Sequence, residues 1–302
     1  MRTLIGGLML CLSTAVGSPQ SPAQIFRSGV QTVFVDASVL RGRSPVDNLA
    51  VADFNLSDNG FPQRIDSVSG VAIPLDVSLV FDASWYTLGP VGADELRRNA
   101  QQLAALLQAD DRLAVLTFAL DVEETRAMSA VGPQRPVIAL TNPTTSKIDR
   151  RFRVAQALLT ALAHPVSSDR RHVVVLFAAG RGEPELPSLE FLASAATRSD
   201  ALLHVVLTPE RRTFDRRALL VNPSEVVIRE AVSRAAEATG GKVHLTGDIV
   251  GAFQGVLKEF RSSYVLRYTL EGVPSAGWHD IVVKVPSCQT CTIRARRGYM
   301  GR

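Results

Sequence analysis

Apolar runs alternate with segments of helical spacing in the middle of the chain. Residues 77–81 are apolar except for Ser78, and this run ends abruptly in Asp82. Strands that are apolar on both faces are typical of parallel sheets covered by helices. Residues 94–109 then place leucine and alanine on one helical face, and residues 113–118 form a second apolar run. This order repeats up to Arg261 and predicts a doubly wound, mostly parallel sheet in an α/β fold.

The two ends of the chain have the alternating pattern of exposed strands instead. Residues 30–71 read as β structure, with a hairpin turn at Asn59-Gly60, where both positions tolerate positive φ. We expect residues 63–71 to return as the partner strand of that hairpin. Helical spacing stops after Arg261. Two flanks of the same kind predict one small all-β sandwich, formed by the N- and C-terminal segments, into which the α/β domain is inserted.

The chain of 302 residues is long enough for two domains. We place the boundaries where the hydrophobic pattern changes. The predicted segments are a signal peptide (1–17), a flexible leader (18–29), the first part of the sandwich (30–72), the α/β domain (73–261) and the second part of the sandwich (262–302).

The first residues resemble a secretory signal. Arg2 supplies the positive end, residues 4–12 form an apolar core too short to span a bilayer, and Ala15 and Gly17 are small residues at the cleavage position. No later stretch approaches transmembrane length. We therefore expect a periplasmic or extracellular protein without an integral membrane segment once the signal is removed.

Composition and charge exclude few partners. The chain is 46% hydrophobic and 21% charged, with a formal charge of +4 and a pI near 9.2, as in an ordinary globular protein. Its arginine clusters have no aromatic stacking series beside them. The expected partner is therefore a protein and not a nucleic acid.

Cys288 and Cys291 lie between two strand-like runs. A zinc site needs about four ligands, and no second pair is present. A redox motif of this spacing normally opens a helix. In an oxidising compartment, a local disulfide between these two cysteines is the better interpretation.

The strand end Asp82-x-Ser84 and the strand at residues 111–118 resemble a von Willebrand factor type A (vWA) domain. Residues 53–60 and the ending at residues 295–299 look like the exported bacterial VWFA-related family of acidobacteria. This resemblance covers almost the whole mature chain. It implies the α/β fold described above and a binding role.

The same resemblance draws attention to a metal site. Such domains hold a divalent ion through Asp-x-Ser-x-Ser, a threonine and a further aspartate. Asp82 and Ser84 match this pattern, but Tyr86 replaces the second serine, Ala179 the aspartate and Phe152 the threonine. One carboxylate and one hydroxyl are too few to dehydrate a magnesium ion. We therefore expect a degenerate site with no metal and no cofactor.

Four residues form the expected binding site. We expect Asp82 and Ser84 to satisfy backbone donors at the strand end, and Trp85 and Tyr86 to provide an apolar contact, as such residues often anchor interfaces. The alternative is that Trp85 folds back onto its own domain. The resulting hypothesis is an exported, non-catalytic protein-binding or scaffolding module. Its partners would lie at the rim, defined as the loops after residues 82, 118 and 177.

Two other functions stay open, namely an architectural envelope subunit and a hydrolase that uses Ser84. Ser84 lacks the Gly-x-Ser-x-Gly elbow of hydrolases. The Gly180-Arg181-Gly182 turn lacks the lysine and the third glycine of a phosphate loop. His172, His204 and His244 fall in predicted strands, where structural imidazoles are common. We therefore predict no catalysis.

Overall fold

Three main sheets and five helices make up the described part of the chain. The predicted signal peptide, the leader, Trp85 and Tyr86 lie outside the described residues. A computed structural model of the chain describes residues 31–42, 44–69, 73–84, 92–119, 121–134, 136–138, 151–165, 170–179, 183–184, 186–208 and 223–301.

The strands and helices follow one another in this order. The first flank contains β1 (Thr32–Arg41), β2 (Ser44–Pro45), a 3-10 turn (Val51–Asp53), β3 (Asn55–Asp58), β4 (Phe61–Gln63) and β5 (Ile65–Ser69). The middle contains β6 (Leu75–Asp82), α1 (Gly92–Ala105), β7 (Arg112–Phe118), β8 (Val122–Ala130), β9 (Arg151–Phe152), α2 (Val154–Leu162), β10 (Arg171–Ala178), β11 (Glu183–Pro184), α3 (Leu186–Arg198), β12 (Leu202–Leu207), α4 (Pro223–Thr239), β13 (Val243–Leu245) and α5 (Ile249–Arg261). The last flank contains β14 (Tyr264–Thr269), β15 (Gly277–Lys284), β16 (Cys291–Ala295) and β17 (Gly298–Gly301).

The central sheet has the strand order β13-β12-β10-β6-β7-β8. Its middle strand β6 pairs with β10 on one side and β7 on the other, so that Val77 lies opposite Val173 and Leu113. Both faces of the sheet are apolar and covered. Helices α2, α3 and α4 pack on one face, and α1 and α5 pack on the other.

The predicted fold class, a doubly wound and mostly parallel sheet inserted in a small all-β sandwich, is wrong. The central sheet is mixed, because β8 runs antiparallel to β7 along Val122–Ala130. Most strand pairings among the described residues are antiparallel and lie outside this sheet. Only residues 119–121 separate β7 from β8, and a parallel connection needs a dozen or more residues. Buried apolar runs identified strands but not their direction.

The two antiparallel sheets have the orders β16-β1-β14-β5 and β17-β15-β3-β4. Each sheet combines strands from both ends of the chain. Their inner faces share one apolar core, which includes Val35, Leu56, Leu266 and Ile281. Long-range pairing of this kind brings the first and last segments into a common structure.

The hairpin turn forms as predicted, but its partner strand differs. Asn59 and Gly60 have φ values of 48° and 83°, and β3 pairs with β4. The predicted partner, residues 63–71, was wrong, because β5 crosses to the other sheet and pairs with β14. Gln63 explains the switch: its Nε2 donates to Glu271 O and its Oε1 accepts from Glu271 N, both at 2.9 Å.

The Cys288–Cys291 disulfide links the turn after β15 to the first residue of β16. This agrees with the prediction from cysteine spacing. Among the described residues, no helix has the length and apolar character needed to cross a membrane.

A buried carboxylate connects the two antiparallel sheets. Asp58, at the end of β3, has no solvent exposure. Its Oδ2 accepts from the hydroxyls of Tyr268 at 2.6 Å and Tyr299 at 3.2 Å, and its Oδ1 lies 2.8 Å from Nδ1 of His279. Each of these donors belongs to a strand of the last flank.

Asp58→Asn is expected to lower the free energy of unfolding by about 3–5 kcal/mol, because an amide would place a donor among three donors in a buried site. Urea unfolding followed by far-UV circular dichroism measures this change. Asp280→Asn, on the exposed side of the neighbouring strand, should stay within about 0.5 kcal/mol of the parent. Equal effects of the two variants would contradict a special role for Asp58.

Candidate functional site

The predicted rim lies at the carboxyl ends of β6, β7 and β10. Asp82 ends β6, is buried, and lies opposite Phe118 at the end of β7. The residue after β6 remains hydrogen-bonded to the end of β7, because Ala83 N donates to Phe118 O at 2.9 Å. Ala179 follows β10 directly and is also buried. The backbone therefore holds the base of the rim in one arrangement.

Asp82 and Ser84 behave differently at this edge. Asp82 Oδ1 accepts a hydrogen bond from Ser84 N at 3.0 Å, the local turn that aspartate often makes after a strand. Ser84 Oγ is buried and has no hydrogen-bond partner among the described residues. The carboxylate thus satisfies a backbone donor, whereas the hydroxyl does not. Trp85 and Tyr86 lie outside the described residues, so their contact role stays a prediction.

The described residues at this edge do not fit a divalent ion. Magnesium requires about six oxygen ligands, but one oxygen of Asp82 accepts from Ser84 N, and position 179 carries a methyl group. No cluster of three or more histidine, cysteine, aspartate or glutamate residues with metal-binding geometry occurs in the described ranges.

A second polar cluster, which sequence reasoning missed, joins the central sheet to the residues after helix α2. Ser78 Oγ is 3.0 Å from both His164 Nδ1 and His172 Nε2, and His164 Nε2 is 3.5 Å from Glu124 Oε1. The order of groups resembles a serine–histidine–carboxylate triad. Ser78 is completely buried, so its hydroxyl is out of reach of a substrate. The sequence signal that could have indicated this cluster was Ser78, a polar residue within the apolar strand β6.

Three histidines of the central sheet are held neutral, of which His172 and His204 are buried and His244 is half-buried. Burial and, to a lesser extent, the nearby His164 lower the pKa of His172 to about 4, against the opposing charge of Asp76. Burial also lowers the pKa of His204 well below its ordinary value and that of His244 to about 4. His204 Nδ1 lies 3.4 Å from His244 Nε2. These contacts suit structural imidazoles that hydrogen-bond without charge.

No protein-family model and no curated protein sequence matches the chain. Solved structures similar to it include BatB from Bacteroides thetaiotaomicron, at 14% identity over 61% of this chain and 96% of that chain, with a TM-score of 0.41. An aerotolerance-related membrane protein from Bacteroides fragilis is 13% identical over 62% of this chain and 98% of that chain, with a TM-score of 0.41.

Proximal thread matrix protein 1 from the mussel byssus is 12% identical over 66% of this chain and 48% of that chain, with a TM-score of 0.42. Likeness at these identities and TM-scores does not define a family. The resemblance to vWA domains therefore stays a hypothesis that rests on the sequence motifs.

The histidines predict a dependence of stability on pH. Between pH 6.5 and about 4, the unfolded chain binds a proton at His172 that the folded chain does not. The free energy of unfolding should therefore fall as pH falls through this window, by up to about 3 kcal/mol for this one group. Urea unfolding at a series of pH values measures the slope. His172→Gln should give a shallower slope, whereas Arg229→Gln should not; parallel profiles for all three proteins would refute this.

Removing the hydroxyl of Ser84 should cost nothing. Ser84→Ala is expected to leave the free energy of unfolding unchanged or to raise it by up to about 1 kcal/mol, because it removes a buried hydroxyl that has no hydrogen-bond partner among the described residues. The matched variant Ser78→Ala breaks contacts to two histidines and should lose about 1–3 kcal/mol. Thermal and urea unfolding provide both values. An equal loss for Ser84→Ala would mean that its hydroxyl has a stabilising partner.

Proposed function

We propose that the chain is an exported, non-catalytic protein-binding or scaffolding module related to vWA domains. Its partner would contact the rim formed by the loops after residues 82, 118 and 177. Recognition residues commonly sit on loops that a rigid sheet positions, and the base of this rim continues from three adjacent strands of the central sheet.

One contact carries the proposal, namely the hydrogen bond from Ser84 N to Asp82 Oδ1. In an ion-dependent receptor, that carboxylate would face a cation and, through it, an acidic group of the partner. Here it stabilises the turn that leads to Trp85 and Tyr86. This favours a direct contact in which apolar rim residues take over the role of the metal.

Two alternatives have different support. An architectural envelope subunit is favoured by Phe61, which is 56% exposed on β4, the last strand of its sheet. Exposed apolar groups on such strands can support assembly. A hydrolase that uses Ser84 is less favoured, because the described residues place no base within hydrogen-bond distance of its Oγ.

The full chain, tagged and incubated with an envelope extract, tests the rim. A partner identified by mass spectrometry should be captured equally with magnesium and with chelator. Trp85→Ala and Tyr86→Ala should reduce its capture at least about tenfold, the effect of losing an interface anchor, without lowering the thermal midpoint. Phe191→Ala removes an aromatic side chain that is 65% exposed on α3, and should have no effect on capture.

Other outcomes would decide against the proposal. Capture that needs magnesium would restore the metal-dependent mechanism. A parallel fall in capture and thermal midpoint would mean that Trp85 packs onto its own domain. Self-association that Phe61→Ser abolishes, with no other protein captured, would support the architectural alternative. Ester hydrolysis that Ser84→Ala abolishes would support the hydrolase.

A further inference from the structure

A cleft lies at the amino ends of the central strands, at the edge of that sheet opposite the rim. Its volume is about 870 Å³, within the range of ligand-binding clefts. One wall comes from β1, β14 and β5, and the other from the starts of β10 and β12, the end of α3 and the C-terminal segment.

Positive charge dominates the lining. Five arginines line the cleft, against two aspartates, Asp36 and Asp200. His172 also lines it and is neutral at pH 7, because burial lowers its pKa to about 4. The arginines are Arg170, Arg171, Arg198, Arg267 and Arg296.

Three of these arginines are fixed by protein partners. Arg170 Nε lies 2.5 Å from Asp76 Oδ1, and Arg171 Nε lies 2.6 Å from Asp36 Oδ1. Arg296 pairs with Asp200 at 2.9 Å. Each ion pair neutralises its arginine, so these three side chains offer little net positive charge to a ligand.

The other two arginines are different. Arg198 ends helix α3, and its guanidinium donates a hydrogen bond to the hydroxyl of Ser194 at 3.3 Å. Arg267 is exposed on β14. Neither has an acidic partner among the described residues. A planar guanidinium in this state is suited to pair with a carboxylate through two hydrogen bonds.

Apolar side chains line the same cleft as Arg198 and Arg267. Phe34 is 52% exposed and lies directly across the β1–β14 pair from Arg267. Met300 is 44% exposed and lines the same cleft. A ligand that suits these groups carries carboxylates beside an apolar group.

We propose that this cleft binds an acidic peptide segment of a protein partner. Arg198 and Arg267 pair with its carboxylates, and Phe34 contacts an apolar residue beside them. This surface is separate from the rim and does not rest on the function proposed there.

The lining favours a peptide over other polyanions. Proteins that bind single-stranded nucleic acid without sequence preference combine a basic groove with several aromatic side chains on which bases stack. Phe34 is the one aromatic side chain in the lining that is largely exposed. Binding to an anionic lipid surface typically uses a cluster of about four to eight basic residues, whereas of the five arginines that line this cleft only Arg198 and Arg267 lack an acidic partner among the described residues.

Fluorescence anisotropy with two matched short peptides tests the proposal on the full chain. In one peptide glutamates flank a central phenylalanine, and in the other each glutamate is replaced by glutamine. The glutamate peptide should bind, and its affinity should fall as salt is raised. Arg198→Gln and Arg267→Gln should each weaken binding about fivefold, and the double variant more than about tenfold. Phe34→Ser should weaken it as well.

Arg229→Gln is the matched control, because Arg229 is exposed on α4 and does not line the cleft. It should bind the peptide like the parent. Equal affinity for the two peptides, no binding of either, or parent-like binding by the double variant would overturn the proposal. So would tighter binding of single-stranded DNA or phosphatidylglycerol vesicles that depends on Arg198 and Arg267. Thermal midpoints close to that of the parent confirm that the variants are folded.

Discussion

The carboxylate of Asp58 joins the two ends of the chain. Its donors, Tyr268, His279 and Tyr299, lie 210, 221 and 241 residues away. Burying a carboxylate costs several kcal/mol unless donors surround it, so the site is favourable only when β14, β15 and β17 are all in place around β3. Burial raises the pKa of Tyr268 and raises that of Tyr299 to about 12. Both hydroxyls therefore keep their protons and remain donors.

A second buried ion connects this structure to the central sheet. Arg171, the first residue of β10, pairs with Asp36 of β1, donates to Phe260 O at 2.6 Å and to Ser263 Oγ at 2.7 Å, and lies 4.7 Å from the ring centroid of Phe260. One guanidinium thus fixes the start of β10 against β1 and the end of α5. Because the cleft lies beside Arg171, the same contacts that hold the sheets together also set the distance between its walls.

The hydrophobic pattern of the sequence predicted where strands and helices lie far better than it predicted which strands pair with one another. The apolar runs that became β6, β7, β10 and β12 were visible in the sequence, and so was the disulfide. The pairing of β5 with β14 was not, since it depends on contacts such as the one between Gln63 and Glu271, which are 208 residues apart. Asp82 was recognisable as a strand end. The cluster around Ser78 was missed because its histidines lie 86 and 94 residues away. The lack of an acidic partner for Arg267 among the described residues likewise depends on its neighbours in space.

The two ends of the central strands differ in the charge that they offer to a partner. This difference determines how a complex at each end would respond to salt. At the carboxyl edge, the charge of Asp82 is buried and directed at a backbone donor. A contact there would depend on apolar burial and change little with salt. At the amino edge, Arg198 and Arg267 face a cleft without an acidic partner among the described residues, so a contact there would weaken as salt screens it. The salt dependence of any complex therefore indicates which edge it uses.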